Sequence, residues 1–322
     1  MPCYHPISAW QLLNVKTANG KPTISFKNPF GRPSPDRVGI QVPCGQCIGC
    51  RLERSRQWAI RCVHESKCHE ENAFITLTYR QENLPKDGSL HKDHFQNFMK
   101  RLRRQLDKGF IYEKDGKEVQ FEGGCKIKFF HCGEYGEKGA RPHYHACIFG
   151  FSFPDKKLYS ERDGSKLYRS DLLESLWPFG FSTIGNVTFE SAAYVARYIT
   201  KKITGEKAAD HYKGKLPEYT TMSRGGNVKG ARGIGAAWFK DYKSDVFPAD
   251  HVVLRGKVMK PPRAYDKYLE ADNPAEYEKI KLDRKAKALE NAADNTAARL
   301  KTKETCKIAQ FQQLKRGLED ET

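Results

Sequence analysis

A carboxylate and two imidazoles lie close enough in this chain to share one cation. They belong to the stretch His131-Cys132-Gly133-Glu134-Tyr135-Gly136-Glu137-Lys138-Gly139-Ala140-Arg141-Pro142-His143-Tyr144-His145. Residues 142–149 read as a strand entered through a proline, and alternate side chains on a strand share a face, so His143 and His145 point one way and Tyr144 the other. Residues 126–132 read as a preceding strand, with a hairpin loop over 136–141. Glu134, at the end of that first strand, folds back beside the histidines, and Glu137 in the loop is the alternative carboxylate. A Glu/His/His set with open positions suits Mg²⁺ or Mn²⁺ better than a closed zinc site. Among 10 histidines one His-x-His pair is unremarkable by itself, so a second constellation matters.

That second constellation is residues 191–202, which contain neither Gly nor Pro and read as a helix. Tyr194 and Tyr198 are i,i+4 neighbours with Cβ atoms roughly 5–6 Å apart, so both hydroxyls can face one site. Lys201 and Lys202 follow Tyr198 by three and four residues and can set an ammonium on or beside the same stripe. Paired helical tyrosines more commonly pack, their hydroxyls simply finding a partner.

Together and in this order, His143-Tyr144-His145 and Tyr194-x-x-x-Tyr198 resemble the HUH endonuclease superfamily of rolling-circle replication initiators. Phe74-Ile75-Thr76-Leu77-Thr78-Tyr79 looks like that family's first motif, a strand beside the histidine strand. More narrowly, Met1-Pro2-Cys3-Tyr4-His5-Pro6, the run Pro43-Cys44-Gly45-Gln46-Cys47-Ile48-Gly49-Cys50-Arg51 and Ser55-Arg56-Gln57-Trp58-Ala59-Ile60-Arg61-Cys62 resemble the replication initiators of gokushovirus-type microviruses, small phages with circular single-stranded DNA. The resemblance covers residues 1–265. Tyr144 departs from it, being more polar than the aliphatic residue often found between the histidines. The resemblance implies a metal-dependent nickase and strand transferase: Glu134, His143 and His145 hold the ion, while Tyr194 and Tyr198, with Lys201 and Lys202, carry the catalysis. The products are a 5′-phosphotyrosyl link and a 3′-hydroxyl for a host polymerase. The DNA is single-stranded or melted at the origin, and a host helicase unwinds ahead. The alternative from another class is a non-catalytic basic protein that binds single-stranded DNA or RNA.

The bulk properties fit both classes. The chain has 322 residues, a formal net charge of +17 and 11% aromatic residues, which favour a polyanionic partner and offer stacking surfaces for unpaired bases. No apolar run approaches the ~18 residues of a membrane span, and no basic-then-apolar leader opens the chain, so the expected compartment is the cytoplasm of the bacterial host. Without a secretion signal, the 10 cysteines are expected to be thiols or metal ligands rather than disulfides. Cys44, Cys47 and Cys50 form a dense cluster whose fourth ligand, from Cys3 or His5, would complete a structural Zn²⁺ site; small packed thiols are the bland reading. No G-x-x-x-x-G-K-[ST] run occurs, which argues against a fused ATP-driven helicase.

The elements that must position these groups follow from pattern. Proline-rich residues 1–43 read as short strands and loops, 49–70 as a helix leading into the 74–79 strand, and 92–106 as a second helix. This second helix buries Phe95, Phe98, Met99, Leu102 and Leu106 and turns Arg101, Arg103 and Arg104 outward. Those three arginines, with Arg197, are the candidate DNA contacts. Residues 107–124 read as a loop or hairpin, 154–165 as a polar excursion, 170–177 as a short helix, and 181–184 and 186–189 as strands. Residues 204–235 form a glycine-rich basic loop and 251–260 a hairpin. The expected class is α+β, a central antiparallel sheet with helices packed on one face, as in HUH endonucleases. The expected division is a nicking domain at 1–265, with its Cys-rich segment 1–70 packed on it, and a charged helical or partly disordered tail at 266–322.

Overall fold

A computed structural model describes residues 3–18, 20–27, 35–136, 139–162, 164–202, 207–224 and 233–313, without the side chains of 162, 165, 198–201 and 207. In chain order the elements are β1 (Ile7–Lys16), β2 (Pro22–Ser25), β3 (Arg37–Val42), α1 (Ile48–Ser66), β4 (Asn72–Thr78), α2 (Lys92–Lys108), β5 (Phe110–Lys114) and β6 (Lys117–Phe121). Then come β7 (Lys128–Tyr135), β8 (Pro142–Phe149), β9 (Lys157–Arg162), β10 (Ser165–Arg169), α3 (Asp171–Leu176), β11 (Ser182–Gly185) and α4 (Phe189–Lys201). The chain continues through α5 (Lys207–Tyr212), β12 (Tyr219–Met222), α6 (Ala236–Asp241), β13 (Val252–Leu254), β14 (Lys257–Met259), α7 (Arg263–Asp272), α8 (Pro274–Glu290) and α9 (Ala297–Gln312). Among the described residues no helix is long and apolar enough to cross a membrane.

The described residues divide into two compact units, one within residues 1–53 and 285–313, the other within residues 54–284. In the first, β1 pairs antiparallel with β2 on one side and β3 on the other. His5 Nε2 stands 2.6 Å from a carboxylate oxygen of Glu304 on α9.

The second unit is built on a seven-stranded sheet of order β12-β7-β8-β4-β11-β10-β9, with every neighbouring pair antiparallel. In β4 the alternation is explicit: Ala73, Ile75 and Leu77 enter one apolar cluster while Phe74 enters another across the sheet. β8 has no alternation, because all eight of its residues are buried. A strand apolar on both sides needs cover on both, so the expectation of helices on one face is corrected. α2 and α3 cover the face bearing Tyr144, Ala146 and Ile148. α4 and the second half of α1 cover the face bearing Cys147 and Phe149. The five apolar side chains of α2 expected inside are buried, each contributing about 1.5–3 kcal/mol relative to exposure.

Three segments differ from expectation. Residues 154–165, read as a polar excursion, contribute β9 and the start of β10, which extend the sheet. β12 lies in the stretch read as a basic loop, whose residues 225–232 are outside the described residues. Residues 186–188 are not a strand: Thr188 Oγ1 accepts from the Ser191 amide at 3.2 Å while Ser191 Oγ accepts from the Thr188 amide at 2.8 Å, a reciprocal cap that starts α4 at Phe189. Beyond residue 265, Leu269 and Ile280 are buried in a third apolar cluster with Ile60, Phe239, Phe247 and Tyr265. The Arg284 guanidinium reaches both Asp250 and Asp266 there.

Candidate active site

Strand register sets the site. Glu134 lies opposite His143 and Cys132 opposite His145 across β7–β8, while Thr76 and Thr78 of β4 flank His145 and His143 on the other side. Residues directly opposite one another share a face, and here it is the face covered by α4. Glu134, His143 and His145 are all buried, and their ligand atoms lie within 4.8 Å of one another. His143 Nε2 stands 2.5 Å and His145 Nε2 2.8 Å from Oε1 of Glu134. The other carboxylate oxygen, Oε2, is buried with no hydrogen-bond partner.

The outer partners fix the imidazoles. His143 Nδ1 is 3.0 Å from the carbonyl oxygen of Arg141, which can only accept, so Nδ1 carries a proton and donates there. His145 Nδ1 stands 2.9 Å from Thr76 Oγ1, a hydroxyl that can donate or accept. Two imidazole Nε2 atoms converging on one carboxylate, whose second oxygen is buried without a partner, fit a divalent ion, and each ring is oriented through its other nitrogen, as metal-bound histidines usually are. Burial alone pushes the Glu134 carboxyl up, but the charge of His145 and hydrogen bonding to both histidines outweigh it and hold it below its ordinary range. Glu137 lies outside the described residues.

α4 delivers Tyr194 to this centre. Its hydroxyl donates to Glu134 Oε1 at 3.2 Å, and its buried ring stands edge-on to His145 with centroids 4.9 Å apart. The Arg197 guanidinium carbon lies 5.5 Å from that ring's centroid. The side chains of Tyr198 and Lys201 are outside the described residues, and Lys202 is exposed at the helix's C-cap. On α2, which covers the opposite face, Arg101 turns inward and donates from Nε to the Leu176 carbonyl at 3.0 Å. Arg103 and Arg104 are exposed, the first with its guanidinium carbon 5.6 Å from the Phe129 ring centroid.

Pattern alone does not reveal the role of Tyr144. On the face away from Glu134, its hydroxyl accepts from the His91 amide and donates to the His91 carbonyl, both at 2.9 Å, and stands 2.8 Å from the Tyr79 hydroxyl. Tyr79 in turn stands 2.7 Å from His94 Nδ1. The strand of the two histidines is thereby tied to the start of α2. His131, the third imidazole of that stretch, also lies on the face away from Glu134, stacked on Phe95 at 3.4 Å and held neutral by burial.

In the first unit the sulfurs of Cys3, Cys44, Cys47 and Cys50 lie within 4.8 Å of one another. The amides of Gln46 and Cys47 donate to Cys44 Sγ at 3.4 and 3.3 Å, the Cys44 amide to Cys3 Sγ at 3.3 Å, and the Tyr4 amide to Cys47 Sγ at 3.3 Å. Four converging sulfurs with backbone N–H support fit a closed tetrahedral ion. Of the two candidate fourth ligands, Cys3 is in the cluster and His5 faces Glu304.

The family model for Replication-associated protein ORF2/G2P matches residues 72–203, the span from β4 through the end of α4. The chain is similar to the Replication-associated protein VP4 of Bdellovibrio phage phiMH2K, 35% identical over 258 residues that cover 78% of this chain and 76% of that protein. It is similar to Replication-associated protein ORF2 of Spiroplasma virus 4, 32% identical over 247 residues covering 73% and 69%. For Replication-associated protein ORF4 of Chlamydia phage 1, identity is 31% over 225 residues covering 68% and 51%. No solved structure matches the chain.

Proposed function

The chain belongs to the replication-associated proteins of small phages, as a replication initiator of the microvirus type, and from that membership we propose that it is a metal-dependent DNA nickase and strand-joining enzyme. One observation carries the proposal: a buried carboxylate, the Nε2 atoms of two imidazoles and a tyrosine hydroxyl meet at one oxygen of Glu134. A basic binding protein has no use for such a convergence, whereas phosphoryl transfer to tyrosine needs each part.

Glu134, His143 and His145 are the ligands for Mg²⁺ or Mn²⁺. That ion, when bound, supplies Lewis-acid polarisation of the scissile phosphate. The Tyr194 hydroxyl, alternating with Tyr198, attacks phosphorus. The tyrosine O–P bond forms as the P–O3′ bond breaks, and the proton lost by tyrosine is balanced by one gained on the released 3′-hydroxyl. Lys201 and Lys202 offset phosphate charge and Arg197 holds the backbone beside them, while Arg103 and Arg104, exposed on the opposite face, meet only strand that runs beyond the site. A later attack by a 3′-hydroxyl on the phosphotyrosine rejoins the strand without ATP, because the covalent link conserves the phosphodiester energy. The origin of the circular phage DNA is cut while unpaired, a host polymerase extends the 3′ end, and a host helicase unwinds ahead, in the host cytoplasm. Cys3, Cys44, Cys47 and Cys50 hold a structural Zn²⁺.

The test is a nicking assay on supercoiled DNA carrying the origin. Open circles bearing a detergent-resistant protein adduct are expected with Mn²⁺ and not in EDTA. His143→Ala or His145→Ala should stop cleavage while sparing salt-dependent binding. Full cleavage by either variant in EDTA overturns the metal role.

A further inference from the structure

The same face that carries the ion ligands continues across β4 and β11 towards the far edge of the sheet. Thr78 lies opposite His143, and the Thr78 amide donates to the carbonyl of Phe181 at 2.9 Å, which sets Phe181 beside Thr78 just before β11. Its neighbour Ser182 is buried and opposite Leu77 on the other face, so the Phe181 ring, 48% exposed, lies on the face of the ligands. β11 is two strand spacings from β8, about 10 Å.

Two cations and a second ring complete a platform. Arg80 and Arg169 place their guanidinium carbons 5.2 and 5.9 Å from the Phe181 centroid. Arg169 is also 5.0 Å from the centroid of Tyr159, a ring 61% exposed, and its Nε stands 3.1 Å from Glu174. Tyr159 owes its position to an irregularity in β9: Tyr168 pairs with Leu158 and Leu167 with Ser160, so Tyr159 is the extra, unpaired residue of a bulge. Bulges re-aim side chains at sheet edges. Exposed rings with guanidinium groups on or beside them are what unpaired bases stack on while their phosphates are neutralised.

The geometry points to Phe181 and Tyr159, with Arg80 and Arg169, as a stacking subsite for unpaired bases of the DNA strand flanking the scissile phosphate. The occupant follows from complementary charge and from continuity with the ligand face, and it rests on the nickase proposal only for which strand is bound. Duplex DNA does not fit, since its bases are already stacked.

Fluorescence anisotropy of a labelled oligothymidylate, beside a duplex of the same length, tests this on the full chain. Phe181→Ala and Tyr159→Ala are each expected to weaken single-strand binding about tenfold and leave duplex binding unchanged, with Phe181→Trp restoring it. Arg80→Gln should lower the log–log salt slope by about 0.7. Photo-crosslinking of an iodouracil-substituted strand to the unaltered chain should label Phe181 or Tyr159, a result independent of how any variant folds. Unchanged single-strand affinity in the doubly substituted chain, or crosslinks confined to other peptides, overturns the subsite even if the chain nicks DNA. A chain that fails to nick yet loses single-strand affinity on these substitutions keeps the subsite and sinks the nickase proposal.

Discussion

Thr76 and the Arg141 carbonyl hold His145 and His143 by the nitrogens that face away from Glu134. Thr76→Val keeps the shape and removes the hydroxyl, so Mn²⁺ affinity should fall by about 10–100-fold, measured by titration calorimetry. Affinity equal to that of the unaltered chain would show that the ring needs no such anchor. Tyr194→Phe should still give an adduct through Tyr198 in one round but fail to release unit-length circles over repeated rounds. Circles released over many rounds by that variant would end the alternating scheme. The convergence of Glu134, His143 and His145 was legible because strand alternation alone puts two histidines on one face. Their anchors were not. A backbone carbonyl carries no sequence signal, and Thr76 reads simply as a strand residue until its neighbour across the sheet is known. The same limit hid the choice between Cys3 and His5, which depends on how the first residues fold over Cys44 and Cys47.

Tyr144 and Thr188 act on whole elements. Tyr144→Phe leaves the His91 amide and carbonyl without their hydroxyl partner, and about 1–3 kcal/mol of stability should go with it, read from urea unfolding. Thr188→Ala removes one half of the cap on the tyrosine helix and should cost about 1 kcal/mol by the same measurement. Helical periodicity made α2 and α4 legible, and the Thr/Leu alternation did so for β4. The edge strands were missed for a physical reason. β9 is polar along most of its length and β12 has four half-buried residues, so neither carries the two-sided contrast from which a strand is read. Yet the β9 bulge supplies Tyr159, and a feature invisible in the hydrophobic pattern extends the ligand face.

For the second unit as a whole, acid is the informative perturbation. His64 stacks on Trp238 at 3.5 Å and stands 2.8 Å from the Tyr265 hydroxyl, and burial pulls its pKa down to about 3. Burial pushes the Glu65 carboxyl up, but hydrogen bonding to His69, Lys128 and the Gly235 amide brings it down to about 2. Their unfolded values are about 6.5 and 4.3. Both are depressed on folding, so their stabilisation is complete above the unfolded pKa and is lost as pH falls through the folded one. Urea midpoints should therefore decline from about pH 6.5 downward, His64 contributing about 1.4 kcal/mol per pH unit across its window and Glu65 joining below about 4.3. His64→Phe should flatten the upper part of that decline; an unchanged pH profile would exclude His64 as its source. The charge of +17 anticipated the kind of partner, but a unit that joins residues 1–53 to 285–313 rests on contacts too distant in sequence for any local pattern to announce. β8 is buried at every residue and paired on both sides. Its amide protons can meet deuterium only when the unit opens globally, whereas those of β9 and β12 at the edges exchange through local fraying. The slowest clock in the second unit is thus set where His143 and His145 sit, and their spacing persists for as long as the unit stays folded.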